Sequence, residues 1–215
     1  MAVTQKIAIV GCGPGARECL TLEALAAIEG ASALIGASRL LSLFPALDAE
    51  RVAVRGYRDE TINAIEQAMR QHPGKRIAVL VTGDPGLASL ATAVIEHFGL
   101  EACRVLPGIS SVQVAFARVG LSWEGARILS AHAAAPALDF DALATEERIA
   151  ILTGNATSTR WIAALAHHLG EQWRITVAQD LTLPSERVFE VHADQLEQLP
   201  QPLRAVILLS RKSKA

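Results

Sequence analysis

Near its beginning the chain reads Ile7-Ala8-Ile9-Val10-Gly11-Cys12-Gly13-Pro14-Gly15, an apolar run that passes directly into a loop with three glycines. The run predicts a buried strand, and the glycines let a ligand approach the backbone without meeting a Cβ atom. The next apolar pattern of helical period begins only at Leu22, with Thr21 in the position of an N-cap. The loop is therefore too long for a tight turn onto a helix.

Similar strand and helix patterns alternate beyond this loop. Predicted strands lie at residues 7–10, 33–35, 77–81 and 103–106, and predicted helices near 22–28, 60–71, 87–98 and 111–118. This alternation predicts a parallel sheet, with five strands in a complete lobe. Later strands are predicted at 127–130, 149–152, 174–178, 187–191 and 205–209, with helices near 157–168 and 193–199. The step from 174 to 191 contains only a Leu183-Pro184 turn, which indicates an antiparallel pair and a mixed sheet.

The predicted fold class is α/β with two lobes. The stretch from Leu121 to Gly125 has neither the helical nor the strand period, so we place the boundary after Gly120. The N-terminal lobe, 1–120, would carry the parallel sheet and the glycine-rich loop. The C-terminal lobe, 121–215, would carry the mixed sheet.

The composition of the 215 residues is that of a globular protein, with 51% hydrophobic residues and a net charge of -2. The positive charges are scattered, so no nucleic-acid partner is expected. Three cysteines without paired spacing argue against a disulfide framework or a structural zinc site. Residues 1–6 show no signal-peptide pattern, and no apolar run approaches the roughly 20 residues that span a bilayer. We expect a soluble cytoplasmic protein without a membrane partner.

Two more loops follow predicted strands, at residues 82–86 (Thr-Gly-Asp-Pro-Gly) and 106–111 (Leu-Pro-Gly-Ile-Ser-Ser). Each also has a purely structural interpretation. Asp84 could cap the next helix with Pro85 at its first position, and Ser110 with Gln113 fits a capping box. Because ligands of open α/β sheets bind at the carboxyl ends of the strands, three such loops nevertheless predict a ligand site.

Two further hypotheses concern particular residues. Gly11, Gly13 and Ala16 satisfy a dinucleotide fingerprint, and Arg39 could read a 2′-phosphate, so an NADP-dependent oxidoreductase is an alternative. His132 lies on a loop after a predicted strand and is a candidate substrate contact. The histidines at positions 72, 97, 167 and 168 lie near helix ends, where they suit charge partners. No metal site is expected, since no His, Asp, Glu or Cys residues have ligand spacing.

The three loops, in this order, resemble the tetrapyrrole methylases, also called class III S-adenosylmethionine methyltransferases. Residues 9–15 with Leu20-Thr21 are similar to the first motif of that family, residues 81–86 to the second and residues 106–111 to the third. Residues 111–113, 120–123 and 130–132 are similar to family members that methylate carbon 5 of cobalt-precorrin-7. They also resemble the amino-terminal module of decarboxylating precorrin-6Y C(5,15)-methyltransferases. Ala133-Ala134 stands where the family often has Gly-Arg.

The resemblance implies C-methylation of a precorrin macrocycle in cobalamin biosynthesis, with S-adenosyl-L-methionine as cofactor in a cleft between two α/β lobes. It implies a homodimer and the following cofactor-binding residues: Gly13, Pro14, Asp84, Gly86, Ser110, Ser111, Thr153 and Leu181. The catalytic base is not identified.

The resemblance also bears on substrate and partners. Arg17, Arg39 and Arg127 could pair with the carboxylates of the macrocycle. The chain would be a stand-alone subunit or half of a bifunctional enzyme, with a separate C(15)-methyltransferase and decarboxylase as functional partner. Two further possibilities stay open, namely methylation at a different tetrapyrrole position and a tetrapyrrole-binding subunit without catalysis.

Overall fold

A computed structural model describes residues 6–132, 134–201 and 204–212. The chain divides into two compact units, Met1–Ser110 and Ser111–Ala215. The division predicted from the sequence lies further along, after Gly120. The two boundaries differ because the helix Ser111–Arg118 contacts a strand of the second sheet and is therefore grouped with the second unit. The domain limits 1–120 and 121–215 stay a prediction.

The first unit contains a five-stranded sheet in which each pair of neighbours is parallel. Its strands are β1 (Ile7–Gly11), β2 (Ala33–Gly36), β3 (Glu50–Ala53), β4 (Ile77–Val81) and β5 (Cys103–Leu106). Their order across the sheet is β3-β2-β4-β1-β5. This arrangement confirms the parallel sheet. Its total of five strands agrees with the expected number, although only four of the strands were located from the sequence.

Both faces of this sheet are buried, which explains why its central strands are apolar throughout. Ile7, Ile9 and Val79 belong to one buried cluster, and Val10 and Leu80 belong to another on the opposite face. Helices α1 (Leu22–Glu29) and α2 (Ser38–Leu41) contribute to the second cluster, and α3 (Arg58–Gln71) and α4 (Ala91–Phe98) to the first. Strands covered by helices on both faces are typical of parallel sheets.

The local signals of the first unit are partly confirmed. Thr21 caps α1, because its side chain accepts a hydrogen bond from the Ala24 amide at 3.0 Å. The sequence did not predict β3 or the short helix α2. Strand β3 pairs only with β2, at the edge of the sheet, and its residues alternate between half-buried and exposed. An edge strand of this kind has no continuous apolar run to reveal it.

The second unit contains a mixed sheet, as predicted. Its strands are β6 (Arg127–Ser130), β7 (Arg148–Leu152), β8 (Trp173–Gln179), β9 (Arg187–Val191) and β10 (Ala205–Arg211), in the order β6-β7-β10-β8-β9. Strands β6 and β7 are parallel, and the other pairs are antiparallel. The predicted β8–β9 pair is therefore confirmed.

Helices flank this second sheet. Alternate residues of the central strands, such as Ile149, Ile175 and Ile207, form a buried cluster with helix α7 (Ala156–Leu169). Helix α5 (Ser111–Arg118) contacts β10 and shares no residue with that cluster. Two short helices, α6 (Phe140–Leu143) and α8 (Ala193–Leu196), complete the unit. Within the described ranges, no helix has the length and apolar character needed to cross a bilayer.

Candidate functional site: loops at the carboxyl ends of the strands

The three loops of the first unit meet because β4, β1 and β5 are neighbours in the sheet. Gly13 and Gly83 form an isolated antiparallel bridge between the first and second loops. The Gly83 amide donates to the Gly13 carbonyl at 2.7 Å, and the Gly13 amide donates to the Gly83 carbonyl at 3.2 Å. The first two loops are therefore held together by their backbones.

Three glycines allow these loops to approach each other closely. A Cβ atom on Gly11 would lie 2.6 Å from the Gly108 nitrogen, and one on Gly108 would lie 2.4 Å from the Gly83 carbonyl oxygen. Neither distance leaves room for a side chain. The glycine pattern that we interpreted as access for a ligand therefore also serves contact between the loops themselves.

Asp84 links the second loop to the third. One carboxylate oxygen accepts from the Gly86 amide at 2.7 Å, and the other accepts from the Gly108 amide at 3.0 Å. The interpretation of Asp84 as the cap of the following helix is wrong, because α4 begins at Ala91 and its N-cap is Leu90. Both oxygens of Asp84 are engaged by loop amides, and turns occupy the residues that were predicted to open the helix.

The loop amides fit some ligands better than others. Five of them already donate within the first unit, namely those of Cys12, Gly13, Gly83, Gly86 and Gly108. A pyrophosphate needs such donors to be available, usually at the start of a helix. S-Adenosylmethionine carries a cationic sulfonium and no phosphate, so it does not need them. These loops therefore suit that cofactor better than a dinucleotide.

The strand order of the first sheet also disfavours a dinucleotide as the ligand. In the dinucleotide fold the first two strands are neighbours, so the acidic residue or arginine after the second strand can reach the ribose. Here β4 lies between β1 and β2. The Arg39 guanidinium donates a hydrogen bond to the Thr82 hydroxyl at the end of β4. The topology therefore disfavours the NADP interpretation of Arg39.

Cys12 lies in the first loop, and its buried thiol resists ionisation. Burial raises the pKa of its thiol to about 12, although Arg39 acts in the opposite direction. The thiol lies 3.5 Å from the Val10 carbonyl oxygen. A thiol with so high a pKa is not a nucleophile near neutral pH. Cys12 therefore fills space beneath the loop.

The other predicted residues of these loops differ in exposure. Pro14 is half-buried in the first loop, and Gly86 is exposed at the end of the second. Ser110 is 8% exposed and ends the first unit. Ser111 is the first residue of α5, which is grouped with the second unit. The structure thus brings Gly13, Asp84 and Gly86 together, and their role toward a cofactor stays a prediction. Sequence reasoning missed Thr82 as a partner of Arg39.

The second unit has its own pair of loops after β6 and β7. His132 is exposed, and its Nδ1 lies 3.1 Å from the Thr153 carbonyl oxygen. Since a carbonyl only accepts, Nδ1 carries the proton in this contact, and Nε2 of the neutral ring is an acceptor. A Cβ atom on Gly154 would lie 2.0 Å from the His132 carbonyl oxygen. His132 is therefore held against the next loop. Ala133 lies outside the described residues.

Thr153 is occupied by contacts within its own sheet. Its hydroxyl donates to the Ala205 carbonyl at 3.0 Å and accepts from the Ala205 amide at 3.0 Å. Its amide also donates to the Ala205 carbonyl, at 3.1 Å. These bonds fix the end of β7 beside β10. The predicted contact of Thr153 with the cofactor stays a prediction.

Leu181 lies in a strained turn after β8. It is 4% exposed, and its two neighbours, Asp180 and Thr182, have positive φ angles of 48° and 69°. Non-glycine residues adopt this conformation rarely, and such strain is concentrated at functional sites. Glu186 stabilises the turn by accepting from the Thr182 amide at 2.5 Å and from Arg118 Nε at 2.5 Å. The hydrogen bonds from Arg118 and Thr182 lower the pKa of Glu186.

Other candidates lie away from these loops. Arg17 places its guanidinium 5.6 Å from the ring of Phe44, and Arg127 begins β6, the strand that ends two residues before His132. Four histidines at helix ends each lie beside a carboxylate, as predicted: His72 with Glu50, His97 with Glu66, His167 with Asp194 and His168 with Asp141. In the part of the chain that the structure describes, no three His, Cys, Asp or Glu side chains could share a metal ion.

Comparison with known proteins identifies relatives along most of the chain. The chain is 33% identical over 183 residues to the cobalt-precorrin-7 C(5)-methyltransferase of Salmonella typhimurium. The aligned region covers 85% of this chain and 88% of that protein. The precorrin-6Y methylase of Archaeoglobus fulgidus is 25% identical, with a TM-score of 0.71 and coverage of 98% of this chain and 100% of that one. The fold is shared with the uroporphyrin-III C-methyltransferase of Thermus thermophilus, which was solved with S-adenosylhomocysteine. The two chains are 22% identical with a TM-score of 0.73, and the match covers 95% of this chain and 92% of that one.

The family model for tetrapyrrole (corrin/porphyrin) methylases matches residues 6–197. This match includes all three loops of the first unit and both loops of the second. It agrees with the strand order and the occupied loop amides, which disfavour a dinucleotide. The chain therefore belongs to the tetrapyrrole methylases and is, as its sequence predicts, a methyltransferase that uses S-adenosylmethionine.

Proposed function

We propose that this enzyme methylates carbon 5 of cobalt-precorrin-7 or precorrin-6Y in cobalamin biosynthesis. The observation that carries the proposal is the 33% identity, over 85% of the chain, to a cobalt-precorrin-7 C(5)-methyltransferase. The precorrin-6Y methylase of Archaeoglobus fulgidus, 25% identical over 98% of the chain, supports the same class of substrate.

The three loops of the first unit are the proposed binding surface for the cofactor. Bound S-adenosylmethionine supplies an already activated methyl group, so the protein has chiefly to orient its ligands and exclude water. Asp84 fixes the second and third loops through the Gly86 and Gly108 amides. Gly13 and Pro14 form the facing loop, and Ser110 ends the third. In this proposal Asp84 acts by positioning the backbone around the cofactor.

Three further residues are proposed as cofactor contacts on the strength of the resemblance. Ser111 begins α5. Thr153 directly follows β7, and its hydroxyl is already bonded to Ala205. Leu181 is the residue whose local structure favours a role, because it is buried between two strained neighbours.

His132 is the proposed contact to the macrocycle. Its Nδ1 is fixed by the Thr153 carbonyl, which leaves Nε2 of the exposed ring to accept a hydrogen bond or, when protonated, to donate one. Precorrins carry carboxylate side chains, which a protonated imidazole or an arginine can bind. Arg39, which lies in α2 and whose guanidinium contacts Thr82 after β4, is the second candidate for such a contact.

The proposal extends to assembly and location. We propose a homodimer in the cytoplasm, working with a separate enzyme that methylates carbon 15 and removes a carboxylate. Size-exclusion chromatography with light scattering measures the mass in solution. A mass of about twice the 22.8 kDa of the chain supports the dimer, and a single-chain mass overturns it.

The test of function is a methylation assay with purified protein, S-adenosylmethionine carrying a 13C-labelled methyl group, and either cobalt-precorrin-7 or precorrin-6Y. NMR of the product locates the new methyl carbon. Labelling at carbon 5 supports the proposal. Labelling at another ring carbon would show that the enzyme methylates a different position of the macrocycle. Binding of S-adenosylmethionine and the precorrin without turnover would show a subunit that has lost catalysis.

A further inference from the structure

A basic cavity of about 570 Å³ lies in the second unit, at the end of the sheet opposite Thr153. Its lining comes from the start of β7, the start of β8, the end of β10 and the segment after α5. The lining residues are Leu121, Glu147, Arg148, Arg174, Ser210, Arg211 and Lys212. A cavity of this size falls within the range that holds small molecules, about 300–1,000 Å³.

The strand register places two arginines on either side of a serine. Ser210 of β10 pairs directly with Arg148 of β7 and with Arg174 of β8. Residues directly opposite each other across neighbouring strands project from the same face of the sheet. Arg148 and Arg174 therefore stand two strand spacings apart, roughly 10 Å between backbones, with the small Ser210 between them. Long guanidinium side chains at this separation can both reach a ligand placed over the serine.

The positive charges that line the cavity are only partly balanced by carboxylates. Arg174 lies 3.2 Å from Glu190, and Arg211 lies 3.4 Å from Glu147. Among the described residues, no carboxylate lies within ion-pair distance of Arg148 or Lys212. The polar partner of Arg148 is the Glu124 carbonyl, at 3.4 Å from one terminal nitrogen. The cavity therefore carries excess positive charge.

Arg148 also has an unsatisfied donor. Its Nε is buried and has no hydrogen-bond partner among the residues that the structure describes. A buried donor without a partner destabilises the fold, and more so when it belongs to a charged group. Arg148 and Arg174 also carry like charges on the same face of the sheet, and these charges repel each other. An anion bound beside Arg148 and Arg174 would relieve this repulsion.

We propose that this cavity binds an oxyanion group, phosphate or carboxylate, of a small molecule. Arginine forks recognise both groups through paired charge-assisted hydrogen bonds, and the Ser210 hydroxyl adds a donor between them. The site is separate from the loops after β6 and β7. Arg148 begins β7 and Thr153 follows its end, so about 16 Å of strand separates them. The inference does not depend on which precorrin the enzyme methylates.

The experiment measures binding of two probes, inorganic phosphate and citrate, to the full chain by calorimetry and by thermal unfolding. Ionic strength is held constant with sodium chloride. We expect at least one probe to bind and to raise the melting temperature, while chloride does not. Binding of phosphate alone identifies a phosphate ester as the class of ligand, and binding of citrate alone identifies a polycarboxylate.

The variants Arg148→Gln and Arg174→Gln test the row, with Arg160→Gln as the matched control. Arg160 is an exposed residue of α7 outside the cavity lining. Each change in the row should weaken binding at least about tenfold, because it removes a charge-assisted hydrogen bond, and the control should leave it within about twofold. Affinity for S-adenosylhomocysteine should stay unchanged in all three, which separates this site from the proposed cofactor site.

Ser210→Asp gives an independent test if an arginine variant does not fold. A carboxylate at this position would lie between Arg148 and Arg174 and occupy the place of the anion. We expect it to raise the melting temperature in the absence of phosphate and to abolish the further rise on adding either probe. Failure of both probes to bind the unaltered chain would overturn the proposal, as would unchanged binding in Ser210→Asp and Arg174→Gln.

Discussion

The loops after β1, β4 and β5 in the first unit and after β6 and β7 in the second share one feature, a close contact at a glycine. They differ in the polar side chain that lies beside that contact. In each unit a glycine lets one loop touch the backbone of another, with an added Cβ 2.4 Å from the nearest atom at Gly108 and 2.0 Å at Gly154. The first unit adds a carboxylate, Asp84, that accepts from two backbone amides. The second adds an imidazole, His132, that is fixed through one nitrogen and exposed at the other. Close backbone contact is thus common to both sets of loops, and they differ in the side chain that the contact holds in place. We propose that the first set binds the cofactor and that His132 of the second contacts the substrate.

Among the variants of these loops, Gly108→Ala should have the largest effect on stability and on affinity for the cofactor product. The new Cβ would lie 2.4 Å from the Gly83 carbonyl oxygen, so the second and third loops must separate. We expect stability to fall by about 1–3 kcal/mol and affinity for S-adenosylhomocysteine to fall at least about a hundredfold. Urea unfolding and calorimetry measure the two effects.

Gly74→Ala is the matched control for that variant. Gly74 has a φ angle of 77°, but a Cβ atom there would meet no atom of the described residues within 4 Å. The control should lose about 1 kcal/mol through backbone strain and keep its affinity. Equal loss of affinity in both variants would show that general destabilisation, and not loop contact, controls binding.

Asp84→Asn should have the next largest effect. Asparagine keeps the shape but offers one acceptor oxygen, so it can satisfy the Gly86 amide or the Gly108 amide and not both. We expect affinity for S-adenosylhomocysteine to fall about tenfold and stability by about 1–3 kcal/mol. Asp48→Asn, on an exposed loop, should change neither. Unchanged affinity in Asp84→Asn would contradict a positioning role for Asp84.

His132→Ala should separate the two edges functionally. It removes the exposed Nε2 of the second unit and leaves the loops of the first intact. We expect affinity for S-adenosylhomocysteine within about twofold of the unaltered chain, and kcat/KM for the precorrin lower by about tenfold. His97→Ala, at the end of α4, is the control and should retain full activity. Equal activity in both variants would remove His132 from the substrate site.

Glu186→Gln should have the smallest effect, and it should depend on pH. Because hydrogen bonds from Arg118 and Thr182 lower the pKa of Glu186, its carboxylate stabilises the fold above the ordinary pKa of glutamate. That contribution is lost as the pH falls through the lowered value. At neutral pH we expect the variant to be less stable by under about 1 kcal/mol, since the pair is partly exposed, and at low pH to match the unaltered chain. Urea unfolding at several pH values checks this.

The control is Glu171→Gln, at an exposed position. It should unfold like the unaltered chain at every pH. A difference between Glu186→Gln and the unaltered chain that persists at low pH would indicate that the lost charge is not the cause.

Much of the fold could be predicted from the sequence because its signals are local. Buried parallel strands read as unbroken apolar runs, and the strands of the mixed sheet were bounded by turn residues. The strand β3 was missed because its half-exposed edge position requires no apolar run. The grouping of α5 with the second sheet depends on contacts with β10, which a helical pattern does not encode.

The site was harder to predict than the fold. Asp84 followed by Pro85 is a good helix start by local rules, and in the structure its carboxylate instead bridges to Gly108, 24 residues further along. The row of Arg148, Ser210 and Arg174 joins three strands that are distant in sequence. Interactions of this kind depend on strand register. The family resemblance pointed to Asp84 as a site residue, whereas single-sequence rules pointed to a cap.

We propose that the loops of the first unit hold S-adenosylmethionine and not a dinucleotide. Calorimetry of the purified chain with S-adenosylhomocysteine, repeated with NADPH and with Asp84→Asn, tests it most directly. We predict micromolar binding of S-adenosylhomocysteine, weakened by the substitution, and no binding of NADPH. Binding of NADPH with no binding of S-adenosylhomocysteine would show that these loops form a dinucleotide site.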